Sequence, residues 1–388
     1  MAKNDQKPAI RFQGFTDPWE QRKVTDMFKI TRGYVLAAPL TSEQKSDEMP
    51  YPVYSSQTKD QGLMGYYKEY LYEDAITWTT DGANAGTVNY RAGKFYCTNV
   101  CGVLLVDKVV PNQMIAEALN NVAKGHVSYV GNPKLMNNVM AEIEISLPSS
   151  AEERDRITEF FSEVDDLITL HQRKYDKLLS IKKSMLEKMF PRDGSKFPEI
   201  RFSGFTDPWE QRKLGDCFIE RVESMPDGEL ISVTINDGIK KFSELGRHDN
   251  SNEDKSKYKK VCVGDIAYNS MRMWQGASGY SPYEGIVSPA YTVLSPNSWI
   301  NSKCLAYQFK LPEMIHIFQI NSQGITSDNW NLKYPALSQI EILISIDEGE
   351  QTKIAEYFTQ FDNLITLHQR KLEKLKNIKK SMLEKMFV

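Results

Sequence analysis

Two blocks of this sequence occur twice, and this repetition constrains the fold more than any other feature does. Residues 10–23 recur as residues 200–213 with a single difference, and residues 157–190 recur as residues 354–387 with long identical stretches. Self-similarity of this kind indicates that one structural plan is built twice. A length of 388 residues also exceeds what a single hydrophobic core usually organises. The sequence therefore predicts a pseudo-two-fold internal repeat.

The second repeated block has the pattern of a long helix. Its apolar residues alternate by four and three positions, which is the heptad spacing of a coiled coil. Two such helices in one chain can pair, so we expect an intramolecular coiled coil. Its seam consists of Ile157, Phe161, Val164, Ile168, His171, Tyr175, Leu178, Lys182, Met185 and Met189, and in the second copy of Ile354, Phe358, Phe361, Ile365, His368, Leu372, Leu375, Lys379, Met382 and Met386.

The charges of these helices favour antiparallel pairing. Residues 151–166 contain seven acidic and two basic side chains, whereas residues 167–190 contain two acidic and six basic ones. Antiparallel pairing places each acidic start beside a basic end and opposes the helix dipoles. The alternative is that the charges only suit the dipole of each helix by itself. Apolar positions outside the seam need a further covering surface, namely Phe160, Leu167, Leu170, Leu179, Ile181 and Leu186.

Two segments that do not resemble each other, residues 24–148 and 214–346, lie between the repeated blocks. A constant frame with variable filling presents two different surfaces on one scaffold. A protein that reads two distinct half-sites together needs such an arrangement, whereas a catalytic pocket does not.

The first variable segment combines predicted strands at residues 75–82, 87–90 and 95–106 with a predicted helix at residues 114–122. Small and amide side chains in the loop at residues 81–87 would let backbone donors approach phosphates or base edges, although an ordinary turn has the same composition. A polar cluster upstream could contact bases and phosphate, or be a solvated loop. The candidate DNA-binding residues here are Tyr54, Ser55, Gln57, Lys59, Thr80, Asp81, Gly82, Asn84, Gly86, Thr87 and Arg91.

The second variable segment repeats the plan with other residues. A predicted strand at residues 263–270 is followed by a loop in which a guanidinium, an aromatic plane and an amide occur together, a mixture that suits base reading. The tryptophan of this loop could instead be a core residue, and the lysine run at residues 255–260 a solvated face. The candidate DNA-binding residues here are Lys257, Lys259, Asn269, Ser270, Arg272, Trp274 and Gln275.

Composition limits the remaining classes of protein. The formal net charge of −3 argues against a nucleic-acid binder, since Lys and Arg normally neutralise phosphate, but a local basic face or a basic partner could supply the attraction. Five cysteines without an export signal predict reduced thiols in a cytoplasmic protein, and no apolar run is long enough to cross a membrane. Cys97 and Cys101 lack the two further ligands of a zinc site, so we predict no metal.

No enzymatic motif is complete in this sequence. A P-loop is absent, because Gly93 and Lys94 lack the earlier glycine at the required spacing. The strongest catalytic alternative is a metal-dependent nuclease that uses Asp227, Glu253 and Lys255, but Glu253 lies in a stretch typical of a loop. A non-enzymatic DNA-binding regulator with a coiled-coil spacer is a further alternative.

Three motifs, each present twice, resemble the specificity subunits of type I restriction-modification systems over essentially the whole chain. They are G-F-x-x-x-W-E-Q-R-K at residues 14–23 and 204–213, D-x-L-I-T-L-H-Q-R-K at residues 165–174 and 362–371, and K-K-S-M-L-E-K-M-F at the end of each helical block. The resemblance implies an α+β fold, in which two mixed α/β target-recognition domains are separated by a pair of long antiparallel helices.

The same resemblance implies four consecutive regions. They are the first target-recognition domain at residues 1–148, the first spacer helix at 149–190, a linker with the second target-recognition domain at 191–346, and the second spacer helix at 347–388.

By resemblance, the chain is a non-catalytic DNA sequence-specificity subunit that reads an asymmetric bipartite target in double-stranded DNA. Two modification subunits would dock on it, bind S-adenosylmethionine and methylate adenine N6, and restriction subunits would use ATP and Mg²⁺. The chain itself would hold no cofactor and would not associate with membranes. The loops at residues 81–87 and 269–276 would be its main recognition elements.

Overall fold

The computed structural model describes residues 8–387, except for residues 57, 58, 193, 236, 237, 247, 250, 327 and 328 and the side chain of Lys59. The chain divides into two compact units. Unit 1 comprises Met1–Gln172 with Gln369–Val388, and unit 2 comprises Arg173–His368. Each unit therefore contains one variable segment, the start of one long helix and the end of the other.

The elements of unit 1 in chain order are β1 (Trp19–Lys23), α1 (Val24–Met27), β2 (Phe28–Arg32), β3 (Tyr51–Tyr54), β4 (Leu63–Tyr67), β5 (Tyr72–Thr79), β6 (Val88–Cys97), β7 (Cys101–Val106), α2 (Gln113–Ala123), α3 (Asn137–Glu142), β8 (Glu144–Pro148) and the first part of α4 (Ala151–Lys188). Six strands form one sheet in the order β2-β7-β5-β6-β3-β4. Only the β3–β6 pair in this sheet is parallel. Strands β1 and β8 form a separate antiparallel pair.

Helix α2 covers the sheet of unit 1 and confirms the helix predicted at residues 114–122. The side chain of Asn112 accepts a hydrogen bond from Ile115 N at 3.0 Å and so caps its first turn. Apolar residues at helical spacing, including Met114, Ile115 and Leu119, are buried against the strands. This packing orders the sheet that carries the candidate loops.

One predicted strand is wrong, because residues 95–106 do not form a single strand. Strand β6 ends at Cys97 and β7 begins at Cys101, and the two lie on opposite sides of β5. Cys101 N donates to Thr98 O at 3.0 Å and closes a turn between them. Gly33 also approaches this turn, where a Cβ would lie 2.2 Å from Cys97 O. Contacts distant in sequence thus interrupt the apolar run.

The elements of unit 2 are β9 (Glu210–Lys213), α5 (Leu214–Cys217), β10 (Phe218–Glu220), β11 (Ile231–Thr234), β12 (Gly238–Lys241), β13 (Lys259–Val261), β14 (Ile266–Asn269), β15 (Ser278–Tyr280), β16 (Gly285–Val287), β17 (Tyr291–Pro296), α6 (Ser302–Gln308), α7 (Pro312–Ile320), α8 (Tyr334–Leu337), β18 (Glu341–Ile344) and the first part of α9 (Glu348–Met386). Strands β10-β17-β14-β15 form one sheet, and β11-β12, β13-β16 and β18-β9 form three further pairs. All of these pairs are antiparallel.

In unit 1, the start of α4 packs antiparallel to the end of α9. The rings of Phe161 and Phe387 lie 5.8 Å apart, and Lys379 Nζ lies 2.8 Å from Asp165 Oδ1. Residue numbers rise along one helix as they fall along the other, which is the predicted antiparallel direction.

Unit 2 contains the equivalent arrangement, in which the end of α4 packs against the start of α9. The rings of Phe190 and Phe358 are stacked 6.3 Å apart, and Lys182 pairs with Asp362. These are the repeat counterparts of the residues that pair in unit 1. All seam positions predicted from the heptad are buried or half-buried in both copies, and the α+β fold with paired long helices is confirmed.

The repeated block at residues 10–23 anchors unit 1, and its copy anchors unit 2 in the same way. Arg11 forms a two-pronged ion pair with the buried Glu153 at 2.6 and 2.7 Å. Arg201 forms the same pair with the buried Glu350 at 2.6 and 2.8 Å. In each unit the block is thus held to the start of a long helix by the same ion pair. Within the described residues, no helix is long and apolar enough to cross a membrane.

Candidate nucleic-acid interface

The backbone of neighbouring segments holds the candidate loop that follows β5. Thr80 N donates to Val100 O at 2.9 Å, and Thr80 O accepts from Leu135 N at 2.9 Å. Gly82 N donates to Pro133 O at 3.0 Å. Backbone hydrogen bonds to two neighbouring segments thus hold the loop, so that its remaining polar groups have a fixed geometry.

The second half of this loop turns tightly. Gly86 has a φ of +81°, and a Cβ there would approach Val127 Cγ2 to 2.8 Å, so glycine is required. Asn84 O accepts from Thr87 N at 3.1 Å, and Asn84 Nδ2 donates to Ser56 O at 2.7 Å. Asn84 therefore links this loop to the polar cluster that follows β3, as expected if both belong to one surface.

The negative charge of Asp81, at the start of the loop after β5, is partly neutralised by neighbouring side chains. Its carboxylate accepts a hydrogen bond from Thr80 Oγ1 at 2.8 Å, and Lys134 Nζ lies 3.6 Å away. A negative charge facing DNA phosphate would be unfavourable, so Lys134 reduces the electrostatic penalty at this position.

Arg91 is the most deeply buried cation among the candidates whose side chains the structure describes, with an exposed fraction of 6%. Its guanidinium carbon lies 3.7 Å from the centre of the Tyr54 ring. Its Nε donates to Thr77 Oγ1 at 3.1 Å, and Nη2 donates to Gln61 O at 2.7 Å. Desolvation lowers the pKa of Arg91, although Tyr54 opposes this. These contacts favour a positioning role for Arg91, which holds the loop after β3, over direct contact with DNA.

The polar cluster after β3 is only partly described. Ser55 N donates to Gly62 O at 2.8 Å, and Ser55 Oγ accepts from Thr98 Oγ1 at 2.9 Å. Gln57 and the side chain of Lys59 lie outside the described residues. Ser55 therefore makes its hydrogen bonds within the protein and stabilises this loop. Contacts of Gln57 and Lys59 with DNA stay predictions.

In unit 2, the candidate loop after β14 is also held by internal hydrogen bonds. Asn269 Oδ1 accepts from Met271 N at 3.0 Å. The hydroxyls of Ser270 and Thr292 lie 2.9 Å apart, and Ser270 O accepts from Leu332 N at 2.8 Å. Asn269 and Ser270 thus hold the shape of the loop in which Arg272, Trp274 and Gln275 lie.

Those following residues combine the predicted base-reading groups. Trp274 is half-buried rather than a core residue, since its Nε1 donates to Met271 O at 3.0 Å and its ring packs edge-on against Trp330 at 5.2 Å. Arg272 is exposed, and Gln275 is half-buried. An exposed guanidinium and an aromatic side chain two residues apart in one loop suit contact with bases and phosphate.

The two candidate lysines of unit 2 differ in their surroundings. Lys259 lies on β13 and pairs with Glu220 at 3.2 Å. Lys257 precedes that strand and is exposed. Lys257 is therefore the better candidate for a phosphate contact, because Lys259 would have to leave its carboxylate partner.

Lys310, which was not predicted from the sequence, supports the loop after β14 through hydrogen bonds to backbone carbonyls. Its Nζ donates to Gly276 O at 2.6 Å and to Ile235 O at 3.0 Å. Desolvation lowers the pKa of Lys310 to about 8, and the positive charge of Lys182 acts in the same direction. Lys310 lies in the turn between α6 and α7, and its neighbours in sequence gave no signal of this role, since the two carbonyl acceptors come from distant segments.

Sequence reasoning also missed a second loop that lies beside each candidate loop. Backbone bridges join Ser128 to Lys134 in unit 1 and Gln323 to Asn331 in unit 2. The turn-forming residues Gly131, Pro133, Gly324 and Asn329 were the available signal, but nothing in the sequence placed these turns next to the candidate loops.

The chemistry of a metal site is not present in the described part of the chain. No group of three or more His, Cys, Asp or Glu side chains there could hold a metal ion. Cys97 and Cys101 are free and buried. The hydrogen bond with Cys101, together with burial, raises the pKa of Cys97, so this thiol stays protonated.

Comparison with known proteins decides the family. The family described as type I restriction modification DNA specificity domain matches residues 16–180 and again residues 206–377. The chain belongs to this family. It thus contains two DNA specificity domains, and the candidate loops of each unit lie inside one matched segment.

Individual relatives agree with this assignment. A Mycoplasma pneumoniae protein described as the N-terminus of a type I specificity subunit is 42% identical over 131 residues, which are 33% of this chain and 68% of the relative. The type I restriction enzyme MpnII specificity subunit of the same organism is 35% identical over 147 residues, 37% of this chain and 43% of the relative. The match thus spans about two thirds of one relative and less than half of the other.

A solved structure shares the fold of this specificity protein. The S subunit of a type I restriction-modification system from M. genitalium superposes with a TM-score of 0.69 and covers 98% of this chain and 99% of that one. Sequence identity between the two is 14%. The likeness therefore shows the fold, and it places the variable loops of this chain on a known scaffold.

Proposed function

We propose that this chain is the sequence-reading subunit of a type I restriction-modification complex, in which each specificity domain reads one part of a bipartite DNA target. The chain does no chemistry of its own. Modification subunits that bind S-adenosylmethionine methylate adenine N6, and restriction subunits use ATP and Mg²⁺ to cut.

The observation that carries this proposal is the double match to the specificity family on segments whose loops differ. Residues 16–180 and 206–377 each match the family. Equivalent residues join α4 to α9 in the two units, yet the loop after β5 and the loop after β14 contain different side chains. A repeated scaffold that carries two different DNA-reading loops fits an asymmetric DNA target of two parts.

The long helices offer a surface for the modification subunits. Leu167 and Leu170 of unit 1 are 44% and 45% exposed, and their repeat counterparts Leu364 and Leu367 of unit 2 are both 45% exposed. These leucines lie outside the seam that joins α4 to α9. Because each unit presents the same apolar pair, two copies of one partner could dock, one on each unit.

Reconstitution tests the proposal. The chain is expressed with the modification subunits of its own organism, and methylated adenines are mapped on DNA exposed to the complex. We expect one motif of two fixed parts around a spacer of unspecified sequence. A contiguous motif, or failure of the chain to bring down any methyltransferase, would contradict it and favour a DNA-binding regulator.

A cleavage assay addresses the nuclease alternative. The chain alone is incubated with plasmid DNA and Mg²⁺, and we expect the DNA to stay intact because catalysis belongs to the partners. Cleavage that disappears on Glu253→Gln would instead establish a nuclease.

A further inference from the structure

We propose that one side chain from the helices of each specificity domain, Asn120 in unit 1 and Lys310 in unit 2, positions the recognition loop of that domain and so determines how strictly its half-site is read. This inference rests on the proposed function, in which the loops after β5 and β14 contact DNA. It assigns specificity to two positioning residues that need no contact with DNA themselves.

The two recognition loops are closed by the same backbone hydrogen bond. Thr79 N donates to Thr87 O at 3.0 Å in unit 1, and Asn269 N donates to Ala277 O at 2.9 Å in unit 2. Both partners are shifted by 190 positions (269 − 79 and 277 − 87), which is the offset of the first repeated block. The loops are therefore equivalent parts of the duplicated plan, although their side chains differ.

Each loop turns at an equivalent glycine just before it closes. Gly86 and Gly276 both have a φ of +81°, a conformation that glycine adopts without strain. A Cβ on Gly86 would lie 3.3 Å from Ala123 O of α2, and a Cβ on Gly276 would lie 3.2 Å from Ile315 Cδ1 of α7. The end of each loop thus packs closely against a helix.

One polar side chain from these helices holds the end of each loop. In unit 1, Asn120 Oδ1 of α2 accepts a hydrogen bond from Val88 N at 3.0 Å, two residues after Gly86. In unit 2, Lys310 Nζ donates to Gly276 O at 2.6 Å. Asn120 and Lys310 are again 190 positions apart (310 − 120). The two domains therefore fix the same part of the loop with different chemistry, an amide acceptor in one and a cationic donor in the other.

The helices that carry these two side chains begin alike. The side chains of Asn112 and Asn301 accept hydrogen bonds that cap the first turns of α2 and α6. Asn120 lies eight residues after its cap (120 − 112), and Lys310 lies nine residues after its cap (310 − 301). Equivalent elements thus bring one polar side chain to the same point of each loop.

Lys310 is held more firmly than a lysine on an open surface. Its Nζ also donates to Ile235 O at 3.0 Å, and burial lowers the pKa of its ammonium group to about 8. Hydrogen bonds from a charged donor are stronger than those between neutral groups. The lysine therefore joins the loop after β14 to the segment after β11 and restricts the movement of both.

The test uses the complex of the full chain with its modification subunits. Once the methylated motif is mapped, methylation rates are measured on duplexes that each differ from the motif at one base pair. Discrimination at a position is the rate on the motif divided by the rate on the changed duplex. We expect Lys310→Met to lower discrimination roughly tenfold in one half-site only, which is about 1.4 kcal/mol and within what one base contact supplies. Asn120→Leu should have this effect in the other half-site only.

Conservative variants and neighbouring residues serve as controls. Lys310→Arg keeps a cationic donor and Asn120→Asp keeps an acceptor oxygen, so both should retain most of the discrimination. Lys303→Met and Asn121→Leu should change neither half-site, because Lys303 packs on an aromatic ring and Asn121 donates to a carbonyl of α9.

Two results would overturn the inference. One is unchanged discrimination in both half-sites, including an equal loss of rate on all duplexes, as a purely structural role would give. The other is relaxation of the same half-site by both variants. Lys310→Met and Asn120→Leu test the inference independently, so if one of them did not assemble the other would decide. If the unsubstituted complex methylated no two-part motif, the proposed function would fail first, so the two failures are distinguishable.

Discussion

At the scale of single residues, the buried ion pairs of the repeated block fix each domain to its helix. Glu350 is buried and accepts from Arg201 twice and from Trp209 Nε1 at 3.1 Å. Its counterpart Glu153 accepts from Arg11. A buried charge that loses its partner is costly, whereas removal of both charges is tolerated far better.

We therefore predict that Arg201→Met destabilises the chain by about 3–5 kcal/mol, because it leaves Glu350 buried without its cation. Urea unfolding, followed separately by tryptophan fluorescence and by far-ultraviolet circular dichroism, measures this loss. The double variant Arg201→Met with Glu350→Leu is the control and should recover part of it, because it removes the uncompensated charge but leaves Trp209 Nε1 without its acceptor. An equal loss in both variants would show that packing, and not the uncompensated charge, stabilises this site.

A second residue-scale prediction concerns pH and Lys310. The pKa of this lysine is lowered from 10.5 in the unfolded chain to about 8 in the folded one. Between those values the unfolded chain binds more protons, so the contribution of Lys310 to the free energy of unfolding rises with pH across that window. Relative to Lys310→Met, the stability of the unsubstituted chain should rise from pH 8 to pH 10.5. A flat difference in urea unfolding would contradict the desolvated environment of this group.

At the scale of elements, the pairing of α4 with α9 follows from polar as well as apolar seam positions. Lys379 lies 2.8 Å from Asp165 and 2.6 Å from Glu117 of α2. Burial acts to lower the pKa of Lys379, but the two carboxylates outweigh it and the pKa is raised. The lysine thus joins three helices of unit 1 in one ionic contact.

We predict that Lys379→Met destabilises unit 1 by about 3 kcal/mol, because it leaves the carboxylates of Glu117 and Asp165 without their shared cation, with Gln113 Nε2 still donating to both. Lys182→Met, the matched change in unit 2, should cost less, because one described carboxylate, that of Asp362, rather than two loses its cation, and it still accepts from Tyr307 at 2.6 Å. Urea unfolding of both variants compares the costs. Equal losses would mean that Glu117 contributes nothing to this contact.

The helices were also the elements most accessible to sequence reasoning. A heptad is a local pattern, so the buried seam, the antiparallel direction and both helix positions could be predicted. The break at Thr98 and the support of the candidate loops by Leu135 and Lys310 could not, because they depend on contacts distant in sequence. For the same reason, composition identified the loops after β5 and β14 but missed the loops that adjoin them.

At the scale of the whole molecule, the proposed function makes the paired helices a spacer between the two domains that read DNA. We predict that one added heptad in α4 together with one in α9 lengthens the unspecified part of the motif by roughly three base pairs, since seven helical residues span about 10.5 Å and each base pair about 3.4 Å. A whole heptad keeps the seam in register. Mapping of methylated adenines measures the change, and both fixed parts of the motif should stay as they were.

The central claim is that each variable segment reads its own half of the target. Exchange of residues 24–148 for the corresponding segment of another specificity protein, followed by mapping of methylated adenines, tests it most directly. The account predicts that one half of the motif changes while the other half and the spacer are retained. An unchanged motif, or a change in both halves, would contradict it.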